Sequence, residues 1–120
     1  MTLASGYLAE KKALGYLKSQ GLKLVKKNYQ CSFGRYVKGE VDLIMIDQQH
    51  LVFIEVRLRK NPYFSGPLES ITKKKQLILI RTATQFIQSH QEYQHQPCRF
   101  DAVGIDNNEQ IHWIRNAFQV

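Results

Sequence analysis

The chain has 120 residues, 43% of them hydrophobic, so it is large and apolar enough to bury a core, and we expect one domain over residues 1–120. Its 17 Lys and Arg residues against 10 Asp and Glu residues give a net charge of +7, which favours a polyanionic partner, with nucleic acid ahead of a membrane surface. No apolar run approaches the ~18 residues of a membrane-spanning helix, the N-terminus does not resemble a secretory signal, and two cysteines do not suggest disulfide cross-links, so we expect a cytoplasmic protein with reduced thiols and no membrane partner.

The first predicted elements are a helix and a strand. Apolar residues recur at helical spacing from residue 3 to about residue 20, and Gly21 is a stop signal. Residues 22–33 predict a strand whose pattern is broken by Asn28 among others. A basic loop bounded by glycines is expected at residues 34–39.

A hairpin is predicted next. Residues 40–46 and 51–59 are apolar, β-rich runs on either side of the polar turn 47–50. If the turn closes symmetrically, Ile46 pairs with Leu51, and partner numbers sum to 97 along both strands. A slip of one residue would turn every side chain to the other face, so the apolar pattern independently favours this register.

This register sets two carboxylates against each other. Asp42 lies directly opposite Glu55, and Glu40 lies directly opposite Arg57. Because residues two apart on a strand share a face, we expect all four side chains on one face. Like charges directly opposite are destabilising, so the carboxylate pair needs a proton or a cation between its members. A hard divalent metal with oxygen ligands fits that position.

The rest of the chain predicts a helix and two strands. The helix begins near Thr72, a plausible N-cap, and a polar loop follows it. Residues 100–105 and 111–114 are strands around the turn 106–109. The third strand is apolar on both faces until Glu55, so we expect a central sheet covered by helices on both sides.

Glu10 is a further candidate because it lies near the inward-facing stripe of the first helix. Two interpretations of Glu10 stay open. It pairs with a neighbouring lysine at the edge of the stripe, or it reaches the metal pocket as a third acid.

A set of motifs in a fixed order spans nearly the whole chain: Glu10 and Ala13, Asn28, GEVDLI at 39–44, VFIEVR at 52–57, ITKKKQ at 71–76 and RFDAV at 99–103. This ordered set resembles the PD-(D/E)xK nuclease superfamily, and most closely its YraN-like branch of predicted nucleases, which is related to archaeal Holliday-junction resolvases. The resemblance implies an α/β, restriction-endonuclease-like fold, with a central mixed β-sheet of about five strands flanked by helices.

The resemblance also implies a Mg²⁺ or Mn²⁺ site and a role for each acid. Asp42 would be the central metal ligand, and Glu55 the second, helped by the backbone carbonyl of Val56. Glu40 would support these ligands from behind, and Glu10 would be an outer ligand or hold a water. The metal would polarise a phosphoryl oxygen and acidify a water for in-line attack.

Two further catalytic roles are implied for Gln76 and Arg57. Gln76 would orient a water or a phosphate from the second helix. Arg57 stands where the family pattern has lysine, and because arginine keeps its proton it could stabilise charge on the phosphate but could not act as a general base. A cross-strand ion pair with Glu40 explains Arg57 equally well.

The sequence therefore predicts a divalent-metal-dependent endonuclease acting on DNA, with branched or single-stranded forms as candidate substrates. The alternative is a catalytically weak or inactive nuclease-fold module that binds nucleic acid or a protein partner. DNA is expected ahead of RNA, and since resolvases of this fold work as dimers a homodimer is left open. Candidate nucleic-acid contacts lie in basic or aromatic segments, where a solvated surface or local packing is the simpler explanation: Arg59, Lys60, Lys73, Lys74, Lys75 and Tyr36.

Overall fold

The computed structural model describes residues 6–58 and 71–119. The elements in chain order are α1 (Gly6–Ser19), β1 (Lys23–Phe33), β2 (Val37–Asp47), β3 (His50–Leu58), α2 (Lys73–Ser89), a short 3₁₀ helix (Gln91–Tyr93), β4 (Cys98–Ile105) and β5 (Ile111–Phe118). This order confirms the predicted succession of helices and strands. The predicted start of the first helix at residue 3 lies outside the described residues.

Both helices end or begin as their sequences predict. Gly21, just after α1, adopts a φ of 99°, a left-handed conformation that glycine accepts without strain. The Thr72 hydroxyl accepts a hydrogen bond from the backbone N–H of Lys75 at 3.1 Å, which confirms Thr72 as the N-cap of α2.

The five strands form one mixed sheet in the order β1-β2-β3-β4-β5. Neighbours are antiparallel except β3 and β4, which are parallel and are connected through α2. The ladder between β2 and β3 runs from Asp47 opposite His50 to Leu43 opposite Ile54, so the predicted register is confirmed along this part of the hairpin.

Helices cover both faces of the sheet. Phe53 of β3 packs in a core with Phe86 of α2, whereas Ile54 packs in a second core with Leu17 of α1. Successive strand residues point to opposite faces, so the two cores lie on opposite sides of the sheet. The fold is α/β and restriction-endonuclease-like, as the sequence predicted.

Two boundaries differ from the sequence prediction. The prediction of a loop over residues 34–39 is wrong for residues 37–39, because β2 begins at Val37, opposite Phe33. Gly39 is a strand residue that brings β2 close to α2: a methyl group added there would overlap the Thr82 hydroxyl. The last strand was predicted to end at residue 114, because polar residues then interrupt its apolar pattern. It extends to Phe118, whose ring stacks on that of Phe100 with the centroids 4.9 Å apart.

Within residues 6–58 and 71–119, no helix combines the length and apolar character needed to cross a membrane. Cys31 and Cys98 are both free thiols.

Candidate functional site

The predicted carboxylate pair lies where β2 and β3 separate. Their ladder ends at Leu43 opposite Ile54, one residue before Asp42 and Glu55. Beyond that point β2 stays paired with β1, and β3 stays paired with β4 as far as Leu58. We call this opening between β2 and β3, at Asp42 and Glu55, the fork.

At the fork, the Asp42 side chain makes a hydrogen bond to β3 in place of the backbone hydrogen bonds of the ladder. Its Oδ2 accepts a hydrogen bond from the backbone N–H of Val56 at 2.8 Å. The alternation of β2 also breaks here, because Val41 packs in the core beneath α2 whereas Leu43 packs in the core beneath α1. Regular alternation, which predicted one common face for the charged residues, is therefore not kept at Asp42.

The surroundings of the pair disfavour the negatively charged form of Asp42. Burial, followed by a hydrogen bond with Glu55 and the negative charge of Glu55, raises the pKa of Asp42 to about 8. Glu55 is only 7% exposed. Its Oε2 is buried and makes no hydrogen bond, although Lys75 Nζ lies 3.4 Å from it. In the structure the cationic partner of this buried oxygen is therefore the Lys75 ammonium.

Glu10 of α1 joins this group rather than only lining the helix edge. Its pKa is raised by burial first and then by the charge of Glu40, while hydrogen bonds with Asp42 and Asn28 lower it. Of the two interpretations left open by the sequence, the one that brings Glu10 to the acids agrees with these contacts.

Asn28 was not singled out as a site residue by its sequence, yet it contributes to the fork. It lies in β1 with a left-handed φ of 52°, a conformation in which Asn is enriched among residues other than glycine. Its side chain reaches Glu10. The sequence signal was the polar break that Asn28 makes in the apolar pattern of the first strand.

One expectation about the neighbours of the pair is not met. Glu40 and Arg57 lie beyond the end of the β2–β3 ladder, so their predicted direct opposition is wrong, and the cross-strand partner of Glu40 is Gln30 of β1. Arg57 is half-buried on β3 beside Gly104 of β4. The Gln76 amide nitrogen donates to the backbone carbonyl of Ile71 at 3.2 Å, so this part of its side chain serves the start of α2.

The basic and aromatic candidates are distributed around this site. Lys73 and Lys74 are exposed at the start of α2, whereas Lys75 is half-buried beside Glu55. Tyr36 is 87% exposed in the turn between β1 and β2. Arg59 and Lys60 lie outside the described residues.

A second buried carboxylate, Asp101 of β4, belongs to a different network. It accepts two hydrogen bonds from Arg99, one from the Trp113 indole and one from the backbone N–H of Asn116, all at 2.9 Å. Arg99 also donates to Asp47 at 2.8 Å. Because each oxygen of Asp101 has protein partners, we interpret this network as structural. Its only sequence signal was the RFDAV motif.

The residues at the fork fit a hard divalent cation. Asp42 and Glu55 offer carboxylate oxygens, Glu55 Oε2 has no hydrogen bond, and the backbone of Val56 is held between them by Asp42. Mg²⁺ usually keeps several waters and binds through one or two carboxylates, so a pair is sufficient. Among residues 6–58 and 71–119, no three His, Cys, Asp or Glu side chains form a ready-made metal-binding group.

Curated relatives align along almost the whole chain. Residues 9–105 match the model of a family described as "Uncharacterised protein family UPF0102". A UPF0102 protein of Psychromonas ingrahamii is 51% identical over 117 residues, which is 97% of this chain and 90% of the relative. UPF0102 proteins of Coxiella burnetii and Pseudomonas fluorescens are 47% identical over 120 residues (100% of this chain, 96% of the relative) and 44% identical over 117 residues (97% and 93%). The chain therefore belongs to the UPF0102 family, the YraN-like group that its motifs resemble.

Proposed function

We propose that this protein is a divalent-metal-dependent endonuclease that hydrolyses phosphodiester bonds in DNA, with branched or single-stranded forms as its substrates. The observation that carries the proposal is the fork, where the carboxylates of Asp42 and Glu55 contact each other and the Lys75 ammonium lies 3.4 Å from a buried oxygen of Glu55. Two like charges in one buried place are unfavourable unless a proton or a cation joins them. The net charge of +7 favours a polyanionic substrate.

Asp42, Glu55 and the Val56 carbonyl would hold Mg²⁺ or Mn²⁺, and Glu10 would hold a water at the outer side. When bound, the metal supplies a Lewis acid for the phosphoryl oxygen and lowers the pKa of a water. The protein positions these ligands by anchoring Asp42 to the backbone of Val56. Arg57 would stabilise negative charge on the phosphate, and Glu40 adds negative potential near Glu10.

Lys75 would supply the lysine of this site. Position 57 carries arginine, but the ammonium group of Lys75 approaches Glu55 from α2 at 3.4 Å. It therefore holds a positive charge beside the acids, close to where a substrate phosphate would bind. In the family pattern the lysine comes from the strand, so in this chain α2 would take over part of that function.

The first experiment is cleavage of junction, flap, single-stranded and duplex DNA in Mg²⁺, Mn²⁺ or EDTA. The proposal predicts metal-dependent products from the wild type and their loss in Asp42→Asn. Equal cleavage by Asp42→Asn would mean that the activity belongs to a contaminant, and the absence of products from every substrate would contradict the proposal.

A matched pair of lysine variants tests the part played by Lys75. Lys75→Ala should slow cleavage by about 10-fold or more, because it removes a charge that contacts the site. Lys73→Ala, two residues away and exposed, should have a much smaller effect. Equal effects of the two substitutions would mean that Lys75 acts only as a general DNA contact.

Arg57 favours a second candidate function, a nuclease-derived module that binds nucleic acid without cutting it. This alternative predicts salt-sensitive DNA binding that persists in EDTA, with no products at any metal concentration. Arg57→Lys separates the two functions. Activity that appears or rises in the variant indicates a weakened enzyme, whereas an unchanged, folded and inactive variant supports the binding module.

A further inference from the structure

We infer that the tip of the β1–β2 hairpin and the pocket behind it form a track for single-stranded DNA, with an unpaired base stacked on Tyr36. This inference rests on the proposed function, because the track ends at the fork. It adds a binding surface and a stacking residue to the proposed site at Asp42 and Glu55.

Tyr36 is the most exposed large hydrophobic side chain of the described residues, at 87%. An aromatic ring that contacts so little protein contributes almost nothing to the core. Arg35 and Lys38, on either side of it, are also exposed. A ring between two cations is suited to stack a base and to contact the phosphates on both sides of it.

The hairpin tip is held in place by α2. The guanidinium of Arg81 lies over the Phe33 ring at 4.2 Å from its centroid. Gly39 allows β2 to approach Thr82 of the same helix closely. The position of Tyr36 relative to the fork is therefore set by the sheet and by α2, which is a requirement for a surface that guides a strand.

A pocket of about 430 Å³ lies between the hairpin tip and the fork. Its lining combines polar residues of β1 and β2 with two residues from α2: Gln30, Cys31, Ser32, Lys38, Gly39, Glu40, Lys75 and Ile78. Lys38 connects the pocket to the tip, and Lys75 connects it to Glu55 at 3.4 Å. The pocket therefore lies between Tyr36 and the carboxylates along β2, and its lining carries two lysines and one acid, Glu40.

The dimensions of this surface suit a short strand. Tyr36 precedes Asp42 by six residues. A fully extended segment of this length spans about 20 Å at ~3.3 Å per residue, the length of about six stacked nucleotides at ~3.4 Å each. A single strand can place one base on the ring and pass its backbone across the pocket, whereas the bases of a duplex are already stacked and paired.

The experiment measures binding of a fluorescein-labelled single-stranded oligodeoxynucleotide by fluorescence anisotropy in EDTA, so cleavage plays no part. Tyr36→Ala and Tyr36→Leu should weaken binding by about fivefold to a hundredfold, because both lose the aromatic face. Tyr36→Phe should bind like the wild type. A duplex of the same length should be bound equally well by wild type and Tyr36→Ala.

Three outcomes would overturn the inference. These are no binding of single strands by the wild type, binding by Tyr36→Ala within about twofold of the wild type, and full binding by Tyr36→Leu. Since Tyr36 is exposed, thermal unfolding should confirm that all variants are folded. If the wild type cleaves no DNA but its binding of single strands still depends on Tyr36, the hydrolytic function is wrong and the track remains supported.

Discussion

Asp42 is the residue on which the site depends most. Its carboxylate holds the backbone of Val56, contacts Glu55 and hydrogen-bonds Glu10, so one side chain connects β2, β3 and α1. Without a cation this arrangement favours the protonated acid, and the pKa of Asp42 is raised to about 8. A proton and the proposed metal would therefore compete for the same oxygens.

This competition predicts a pH-dependent stability. The pKa of Asp42 is higher in the folded protein, about 8, than its ordinary value of 3.8, so the folded state binds this proton more tightly. The stabilising contribution is complete below the ordinary pKa and is lost as the pH rises toward 8. In EDTA, wild type should therefore lose stability relative to Asp42→Asn as the pH is raised, as measured by chemical unfolding at several pH values.

Mn²⁺ should reverse that loss. The increase in melting temperature on adding Mn²⁺ should be larger near pH 8 than near pH 6 for the wild type, because deprotonated Asp42 binds metal better. Asp42→Asn should show little increase at either pH. An increase that does not depend on pH would contradict the assignment of the proton to the metal-binding oxygens.

Asp101 should matter for stability and not for metal binding. Asp101→Asn leaves Arg99 without its bidentate partner in a buried network and should lower the free energy of unfolding by about 3 kcal/mol. Urea unfolding measures this change. Asp106→Asn is the control, because Asp106 pairs with His112 in an exposed turn, and its unfolding midpoint should stay close to that of the wild type. Loss of Mn²⁺ binding in folded Asp101→Asn would show that the network also serves the fork.

At the scale of elements, the hairpin was the most predictable feature. Its register follows from apolar runs around a short turn, and the observed pairing of Ile46 with Leu51 agrees. The fork was not predictable, because the point where two strands separate depends on their other neighbours, β1 and β4. The same reason explains why the contact of Asn28 with Glu10 and the approach of Lys75 to Glu55 could not be foreseen: both join elements distant in sequence.

A substitution at Gly39 tests how closely β2 packs against α2, and a substitution at Gly15 is its control. Gly39→Ala should destabilise the protein by about 1–3 kcal/mol, because the added methyl group overlaps Thr82. Gly15→Ala is the matched control: Gly15 lies inside α1 with open space around its Cα, so alanine should stabilise by about 0.5–1 kcal/mol. Urea unfolding of both variants gives the comparison, and equal signs would contradict the packing described here.

For the whole molecule, the sequence was sufficient to predict the family and the fold class. Alternating apolar strands, a capped helix and motifs in a fixed order agree with the five-stranded sheet between two helices and with the match over residues 9–105. The buried network around Asp101 and the polar end of β5 were missed, because polar residues satisfied by tertiary partners have no periodic pattern. The net charge favours a polyanionic partner, which stays a prediction, and it does not indicate a particular surface.

The central claim is that Asp42 and Glu55 together bind a divalent cation, and Mn²⁺ titration by calorimetry tests it without any assumption about the substrate. The wild type and Glu109→Gln, which changes an acid that pairs with Lys12, should bind one Mn²⁺ with similar affinity. Asp42→Asn should lose this binding while remaining folded. Absence of binding to the wild type, or equal binding to Asp42→Asn, would contradict the account.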